Sequence, residues 1–139
     1  MPATFTKEER LSSFREIQAL MKEGKTLFHY PFKAVYLFPK ADITTDTSEA
    51  KNAIMVSVPK RNFKRAVKRN LLKRRIREGY RLNKELLEAP QGCKAHLLFV
   101  YVSKDIMEYS HIERKMKELM QQISFQWKEN EQKGNVEED

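Results

Sequence analysis

The chain has 139 residues, of which 40% are hydrophobic, and its 27 Lys and Arg against 19 Asp and Glu give a formal net charge of +8. This length provides one domain with a single core. No apolar run approaches the roughly 18 residues of a membrane span, and the N-terminus lacks the apolar region of a secretory signal, so we expect a cytoplasmic protein. Cys93 is the only cysteine. An internal disulfide is therefore excluded, and no metal site is predicted.

Residues 8–22 are predicted to form the first helix, which Ser12 or Ser13 can cap and which Gly24 ends. Its apolar residues recur at helical spacing: Leu11, Phe14, Ile17, Leu20 and Met21. A strand is predicted over residues 32–38. Its two faces alternate, with Phe32, Ala34, Tyr36 and Phe38 on one and Lys33, Val35 and Leu37 on the other. One or two further short strands can lie within residues 25–30 or in the polar connection over residues 40–52.

A second strand is predicted over residues 53–58, where Pro59 removes a backbone donor and ends it. A helix follows over residues 64–87, because this segment is rich in residues of high helix propensity. Pro90 and Gly92 are expected to terminate it.

Residues 95–102 form the most apolar run of the chain and are too short for most helices. This pattern predicts a strand that is buried on both faces, at the centre of the sheet. A last helix is predicted over residues 110–127, opened by Ser110 and Glu113 as a capping box.

These elements predict one domain over residues 1–127, with residues 128–139 as a charged and flexible tail. The order is α-β-β-(β)-α-β-α, where the strand in parentheses is one of the further short strands that can lie within residues 25–30 or 40–52. We therefore expect an α+β sandwich of two layers, a sheet packed against helices.

A cluster of positive charge lies between Lys60 and Arg81. This segment of 22 residues contains eleven cations and one acid, Glu78, whereas the rest of the chain carries 16 cations and 18 anions. Such clustering builds a local field that can hold a polyanion, and it predicts a nucleic-acid partner. The alternatives are a helix on an anionic membrane, a calmodulin-type target and a nuclear-import signal. The first two need a broader apolar face.

On a helix, the residues of this segment form one cationic stripe. The stripe contains Ala66, Arg69, Asn70, Lys73 and Arg77, with Arg74 and Arg81 at its flank. Leu72, Ile76 and Gly79 form a neighbouring apolar stripe that can seat the helix on the sheet. Cations three and four residues apart repel one another, and a merely solvated face would include Glu among them, so the stripe favours a functional role. The amide of Asn70 adds a group that both donates and accepts hydrogen bonds.

Residues 55–81, MVSVPKRNFKRAVKRNLLKRRIREGYR, resemble the signature of the protein subunit of bacterial ribonuclease P. The matching positions are Ser57, Lys60, Arg61, Ala66, Val67, Arg69, Asn70, Lys73, Arg74, Ile76 and Arg77. Leu71 stands where the family has the second arginine of an Arg-Asn-Arg triplet, and Pro59 stands where it usually has Ser. Leu71 removes one expected RNA contact, for which Arg75 or Lys68 can substitute.

The resemblance implies a sandwich with a left-handed βαβ crossover and a polypeptide without catalytic residues. In that family the RNA subunit, with bound magnesium ions, hydrolyses the phosphodiester at the mature 5′ end of tRNA. The protein binds the catalytic RNA and the 5′ leader of precursor tRNA, and it broadens substrate specificity. We therefore expect a protein that holds no cofactor or metal itself and is monomeric within the ribonucleoprotein.

Two binding surfaces follow from the resemblance. The catalytic RNA is expected to contact the cationic segment through Lys60, Arg61, Lys64, Arg65, Arg69, Asn70, Lys73, Arg74, Arg77 and Arg81. The leader is expected in a shallow cleft beside the first helix, where aromatic rings stack on bases. The candidates for this cleft are Phe14, Ile17, Met21, Phe32 and Tyr36. Among them, Ile17 and Met21 occupy places where the family often has aromatic residues.

Three other functions are open from the residues alone. A ribonuclease can use two histidines as acid and base, but His29, His96 and His111 are isolated in the sequence. The chain can also be a structured-RNA-binding module of ribosomal type, without a role in tRNA processing. A DNA-binding protein that places the basic helix in the major groove is the third, and a preference for folded RNA over duplex DNA would exclude it.

Overall fold

Four strands form one mixed sheet, and three helices pack on its two faces. The computed structural model describes residues 9–40, 52–90 and 92–137. In chain order the elements are α1 (Phe14–Glu23), β1 (Lys25–His29), β2 (Phe32–Leu37), β3 (Ala53–Ser57), α2 (Ala66–Asn83), a 3₁₀ turn (Lys84–Leu86), β4 (His96–Tyr101) and α3 (Tyr109–Glu137). The strand order across the sheet is β1-β2-β4-β3. The predicted α+β sandwich is confirmed.

Strand β4 lies at the centre of the sheet, as its apolar sequence predicts. It pairs antiparallel with β2 and parallel with β3. Strand β1, which pairs antiparallel with β2, is the short strand expected within residues 25–30. Helix α2 joins the parallel neighbours β3 and β4 as the expected βαβ unit requires, and the left-handed sense of this crossover stays a prediction. Residues 41–51, with any strand that they hold, lie outside the described residues.

The main core lies between one face of the sheet and the helices α2 and α3. We call this side of the sheet the core face; on β2 and β4 it carries Phe32, Ala34, Tyr36, Leu97, Phe99 and Tyr101. The helices contribute Leu72, Ile76, Tyr80, Ile112, Met116, Leu119, Met120 and Ile123. All these side chains are buried, and at about 25 cal/mol per Å² their apolar surface is the principal source of stability.

The opposite side of the sheet, which we call the α1 face, is covered only in part. Leu11 and Leu20 from the first helical region pack on Val35 and Leu98. Farther along the strands, the α1 face is half-buried at Met55 and Val100 and exposed at Lys33. This part of the α1 face is therefore open to solvent beside α1, and we call it the cleft.

Helix α1 begins six residues later than predicted. The hydroxyl of Ser13 accepts the backbone N–H of Glu16, at 3.5 Å, so Ser13 is the cap. The chain before it is extended instead of helical, and the backbone N–H of Leu11 donates to the carbonyl of Ile54 at 2.8 Å. The apolar periodicity that includes Leu11 reflects burial on the same sheet face and not one continuous helix.

Gly24 ends α1 at a point where the helix approaches β2 closely. A Cβ atom at this position would lie 2.3 Å from the carbonyl oxygen of Leu20 and 2.8 Å from a methyl carbon of Val35. The lack of space therefore requires glycine at this position. The backbone conformation does not, because the φ of Gly24, −68°, is one that any residue adopts.

The predicted apolar stripe of α2 is confirmed, and it packs against α3 as well as the sheet. Leu72, Ile76 and Gly79 are all buried. A Cβ atom on Gly79 would lie 2.7 Å from the sulfur of Met116, so this glycine leaves room for a side chain of α3.

The ends of α2 and α3 differ from prediction. Helix α2 ends at Asn83, whose side-chain amide donates to the carbonyl of Gly79 and to the carboxylate of Glu113, both at 2.9 Å. The capping box is wrong, since Ser110 lies inside α3 and Glu113 instead accepts hydrogen bonds from Asn83 and from the hydroxyl of Tyr109.

Helix α3 continues to Glu137, so its predicted end at residue 127 is wrong, and the flexibility of the tail over residues 128–139 stays a prediction. The residues after position 127 are rich in Lys, Glu and Gln, which have high helix propensity. An ion pair between Lys128 and Glu88 also ties the first of them to the domain. Within the described part of the chain, no helix combines the length and hydropathy that a membrane crossing needs.

His96 is buried beneath α1, and this burial makes a prediction about pH. Its Nε2 atom lies 3.0 Å from a carboxylate oxygen of Glu16, without the geometry of a hydrogen bond. Burial lowers the pKa of His96 below its usual 6.5; the negative charge of Glu16 opposes this shift and the positive charge of Lys94 adds to it. The unfolded chain therefore binds a proton more readily than the folded chain at acidic pH.

We expect the free energy of unfolding to fall as the pH decreases below about 6.5. The variant His96→Gln, which cannot titrate, should lose this part of the pH dependence. Denaturant unfolding of both proteins over the range from neutral to mildly acidic pH measures the difference. Curves of the same shape for both proteins would contradict the assignment.

Candidate nucleic-acid interface

Helix α2 and the loop before it present a continuous positively charged surface. Its exposed members are Lys60, Arg61, Lys64, Arg65, Lys68, Asn70, Arg74 and Arg77. Arg69, Lys73 and Arg81 are half-buried beside them. We call these eleven residues the cationic surface. It brings together every residue predicted to bind the catalytic RNA and adds Lys68.

The N-terminal end of α2 concentrates this charge. The first turn contains no acidic residue, and the capping position is Arg65, which makes no side-chain capping bond. A cavity of about 440 Å³ adjoins it and is lined in part by Lys64, Lys68 and Lys104. The positive end of the helix dipole adds to these cations, so this region favours a phosphate group. Lys104, in the loop after β4, was not predicted, because only the fold brings that loop to the start of α2.

Arg69 has a structural role that its place in the stripe did not indicate. Its guanidinium donates to the backbone carbonyls of Phe63 and Lys64, at 2.7 and 2.9 Å. These two bonds hold the loop that leads from β3 into α2. Arg69 is therefore a half-buried structural residue as well as a member of the cationic surface.

We expect Arg69→Ala to lower the free energy of unfolding by about 1.5 to 3 kcal/mol, the usual range for hydrogen bonds to a charged group. Arg74→Ala, on the exposed part of the same helix, should change it by less than about 0.5 kcal/mol. Denaturant unfolding of the two variants makes the comparison, and equal stabilities would contradict the structural role.

Two other cations of this region are held by partners. Arg75 donates to the backbone carbonyl of Met107, which joins α2 to the segment before α3. Arg81 forms a two-point ion pair with Glu78, the only acid of the cationic segment, and lowers the pKa of that carboxyl group. The exposed cations nearer the start of α2 therefore carry most of the uncompensated charge.

The cleft lies between α1 and the uncovered part of the α1 face. Ile17 is half-buried against the sheet, and Phe14 and Met21 share its flank of the helix at spacings of three and four residues. Phe14 is 74% exposed. The structure therefore places these three predicted residues along one wall of the cleft.

Phe32 and Tyr36, the other two predicted cleft residues, lie on the core face, and their assignment to the cleft is wrong. Their exposed fractions are 0% and 5%. The ring of Phe32 packs edge to face against Phe99, with ring centroids 5.7 Å apart. The hydroxyl of Tyr36 donates to the side-chain oxygen of Gln126 at 2.5 Å, so its burial leaves no unpaired polar group.

Phe28 is an aromatic residue of the cleft that the sequence reasoning missed. It is 63% exposed, and its strand partner is Lys33 on the α1 face. The available signal was its alternation with Leu27, but residues 25–30 were too short a segment to decide a strand register. A cation and an exposed ring thus lie side by side on the floor of the cleft.

The three histidines do not form an acid and base pair. His29 contacts Glu118 at 3.0 Å, and the Nδ1 atom of His111 contacts Arg114 at 3.2 Å. His96 is buried on the α1 face, whereas His29 lies on the other side of the sheet. Across residues 9–40, 52–90 and 92–137, no three His, Cys, Asp or Glu side chains come together in a group that could hold a metal ion.

Comparison with known proteins gives the family. The sequence profile of the family described as Ribonuclease P matches residues 5–124. The chain belongs to the ribonuclease P protein family. A relative from Porphyromonas gingivalis, named Ribonuclease P protein component, is 38% identical over 128 residues, which are 88% of this chain and 90% of the relative. One from Thermotoga maritima with the same name is 39% identical over 92 residues, 66% of this chain and 69% of the relative.

Solved structures of ribonuclease P proteins share the fold. The protein from Thermotoga maritima superposes with a TM-score of 0.65 at 22% identity, covering 82% of this chain and 96% of that one. A mutant of the Staphylococcus aureus protein gives a TM-score of 0.63 at 21% identity, with 85% and 89% covered. At this level of identity, the likeness concerns the fold alone.

The two departures from the ribonuclease P protein signature have defined places in the structure. The carbonyl of Pro59 accepts the backbone N–H of Asn62 at 3.2 Å, in the turn that leads from β3 toward α2. Leu71 is half-buried on α2 between the exposed Asn70 and the buried Leu72. An apolar side chain at position 71 therefore sits where the cationic surface meets the core.

Proposed function

We propose that the chain is the RNA-binding subunit of ribonuclease P and acts as a monomer in the cytoplasm. In this proposal the cationic surface binds the catalytic RNA of the ribonucleoprotein. The cleft beside α1 binds the 5′ leader of precursor tRNA. Family membership supports the role as a subunit. The cationic surface and the cleft are separate surfaces, which supports the assignment of one RNA to each.

The cationic surface is the observation that carries the proposal. Most of its charges are exposed, and they are closely spaced and, apart from the paired Glu78, free of interspersed acids on α2. Such an arrangement is costly in isolation because like charges repel at these spacings. Contact with a folded RNA removes that cost, since each phosphate that a Lys or Arg neutralises also releases condensed counterions.

The cleft has the chemistry of a site for single-stranded RNA. Phe14 and Phe28 offer exposed rings on which bases can stack without a sequence requirement, and Lys33 offers a charge for the backbone. Lys33 pairs in the sheet with Val100, which pairs in turn with Ser57 at the end of β3. Lys60 follows three residues later, so the cleft opens toward the cationic surface. A leader held in the cleft thus lies close to the bound catalytic RNA.

The polypeptide assists hydrolysis by electrostatics, and the magnesium ions are held at the site on the RNA. Two polyanions must approach each other when precursor tRNA meets the catalytic RNA. A protein that neutralises phosphates of both lowers their mutual repulsion and so raises the affinity for substrate. None of the protein's histidines is required for the bond-breaking step in this proposal.

Reconstitution tests the proposed function. Purified protein, freed of RNA, should cleave nothing, whereas the protein mixed with bacterial ribonuclease P RNA should accelerate removal of the 5′ leader at low magnesium. The variants His29→Ala and His111→Ala should support cleavage as well as the parent protein. Cleavage by the protein alone that disappears with one of these histidines would overturn the proposal. So would tight RNA binding with no effect on leader removal, the behaviour of a structured-RNA-binding module.

A further inference from the structure

A second groove lies on the other side of β1, between this edge strand and α3. It has a volume of about 730 Å³, within the range of ligand sites, and is lined by His29, Glu118, Gln121, Gln122, Phe125 and Gln126. The α3 residues recur at helical spacing and form one stripe.

The stripe combines three glutamine amides with one exposed aromatic ring. Phe125 is 65% exposed, although it lies on a helix whose neighbouring residues Ile123 and Ser124 are buried. Gln121 and Gln122, about one helical turn before Phe125, are also exposed. An aromatic face with adjacent amides is the set of groups by which proteins stack an unpaired base and hydrogen-bond its edge.

Two contacts hold the polar groups of the groove in place. The side-chain oxygen of Gln126 accepts the hydroxyl of Tyr36 from the core, and this fixes which end of the amide carries the N–H donors. Glu118 is held by His29 at 3.0 Å and by Lys115 at 3.6 Å, and these contacts lower the pKa of its carboxyl group. The one acid of the groove is thus accompanied by positive charge, which reduces its repulsion of a nucleic acid.

The geometry points to a binding site for an unpaired RNA base in this groove, with the base stacked on Phe125 and its edge read by Gln122. Adenine is the preferred base, because a glutamine amide can both accept from its amino group and donate to its N7 atom. The inference rests on the proposed function, which supplies the RNA. It adds a third RNA-binding surface, on the opposite side of β1 from the leader cleft.

The position of the groove explains how an RNA strand can reach it. Successive residues of a strand point to opposite faces, so Phe28 lies on the cleft side of β1 and His29 on the groove side. Strand β1 is at the edge of the sheet. A leader that leaves the cleft can pass over this edge into the groove. An unpaired loop of the catalytic RNA is the other source of such a base.

The test uses five variants in the reconstituted ribonucleoprotein, four of them at exposed apolar positions and the fifth, Gln122→Leu, at the amide. Phe125→Ala removes the stacking surface, Phe125→Leu keeps an apolar side chain without a ring, and Phe125→Trp restores the ring. Leu82→Ala, an exposed apolar position on α2, is the matched control. Melting temperatures should agree among the four, because these side chains are largely exposed. Affinity is measured for the catalytic RNA alone and for precursor tRNA with either a long adenine-rich leader or a truncated leader.

Phe125→Ala and Phe125→Leu should lower the affinity for one of the RNAs by roughly five- to a hundredfold, the range of a lost stacking contact. Phe125→Trp and Leu82→Ala should bind with the affinity of the parent protein. A loss confined to the long leader identifies the leader as the source of the base, and a loss on the catalytic RNA alone identifies that subunit. Where the loss is confined to the long leader, replacing its adenines by uracils should weaken binding to the parent protein and leave binding to Gln122→Leu unchanged.

Two results would overturn the inference. In one, all Phe125 variants bind every RNA as tightly as the parent protein. In the other, Phe125→Ala changes only self-association, measured by light scattering, which would make the groove a contact between copies of the chain. In both cases the parent protein should still activate the catalytic RNA, and failure of that activation would instead reject the proposed function.

Discussion

Replacing Arg74 and Arg77 together by alanine is expected to flatten the salt dependence of binding to the catalytic RNA. Both side chains are exposed on α2 and neither belongs to the core. Each lost phosphate contact should reduce the slope of log K against log salt by about 0.7 to 0.9, so the pair should reduce it by about 1.4 to 1.8. Binding titrations over a range of potassium concentrations measure this slope.

The matched control removes the same charge from another helix. Arg114 and Lys117 are exposed on α3, and the double variant Arg114→Ala, Lys117→Ala should leave the slope near that of the parent protein. Both double variants should unfold at similar temperatures, since exposed positions contribute little to stability. If the α3 pair lowers the slope and the α2 pair does not, the catalytic RNA binds to a different surface.

Phe32→Ala and Phe28→Ala are expected to separate stability from leader binding. Phe32 is fully buried against Phe99 and Tyr101, so its truncation should lower the free energy of unfolding by about 3 to 5 kcal/mol. Phe28, four residues earlier and largely exposed, should lose little stability. Its truncation should instead weaken the binding of leader-bearing precursor by about 1 to 3 kcal/mol.

The mature tRNA, which has no leader, is the control ligand for this pair. Phe28→Ala should bind mature tRNA as the parent protein does. The apparent affinity of Phe32→Ala for precursor should decrease only in proportion to the fraction of this variant that is folded. Thermal unfolding and equilibrium binding of both RNAs provide the data. A selective loss of precursor binding in Phe32→Ala, with full stability, would show that Phe32 lies in the cleft and not in the core.

The placement of α2 explains how the protein sustains such a dense array of charge. A helix this rich in cations gains little stability from its own side-chain pairs. Leu72, Ile76 and Tyr80 anchor it in the core, and Gly79 lets it approach α3 closely. The binding surface is therefore a rigid part of the domain, which holds the charges in position before the RNA arrives.

Several features of the protein follow from local sequence. The period-2 and period-3.6 patterns predict three strands to within one residue at each end, and they predict the apolar stripe of α2. The length and hydropathy of residues 95–102 predict the central strand, because a run this short and this apolar is typical of a strand that is buried on both faces. The cationic surface is also local, since it lies on α2 and the loop directly before it and its spacing is visible in the chain.

The tertiary structure alone decided which side of the sheet is open. Alternation shows that Phe32 and Tyr36 share a face, but both faces of β2 contain apolar residues, and either can be covered by helices. Coverage depends on where α2 and α3 pack, which is set by contacts between residues far apart in sequence. For the same reason, the sequence alone does not reveal the carbonyl partners of Arg69, the approach of Lys104 to α2 or the groove that is lined by His29 and Phe125. Periodicity reports the neighbours along one element, whereas these sites are formed by the packing of different elements.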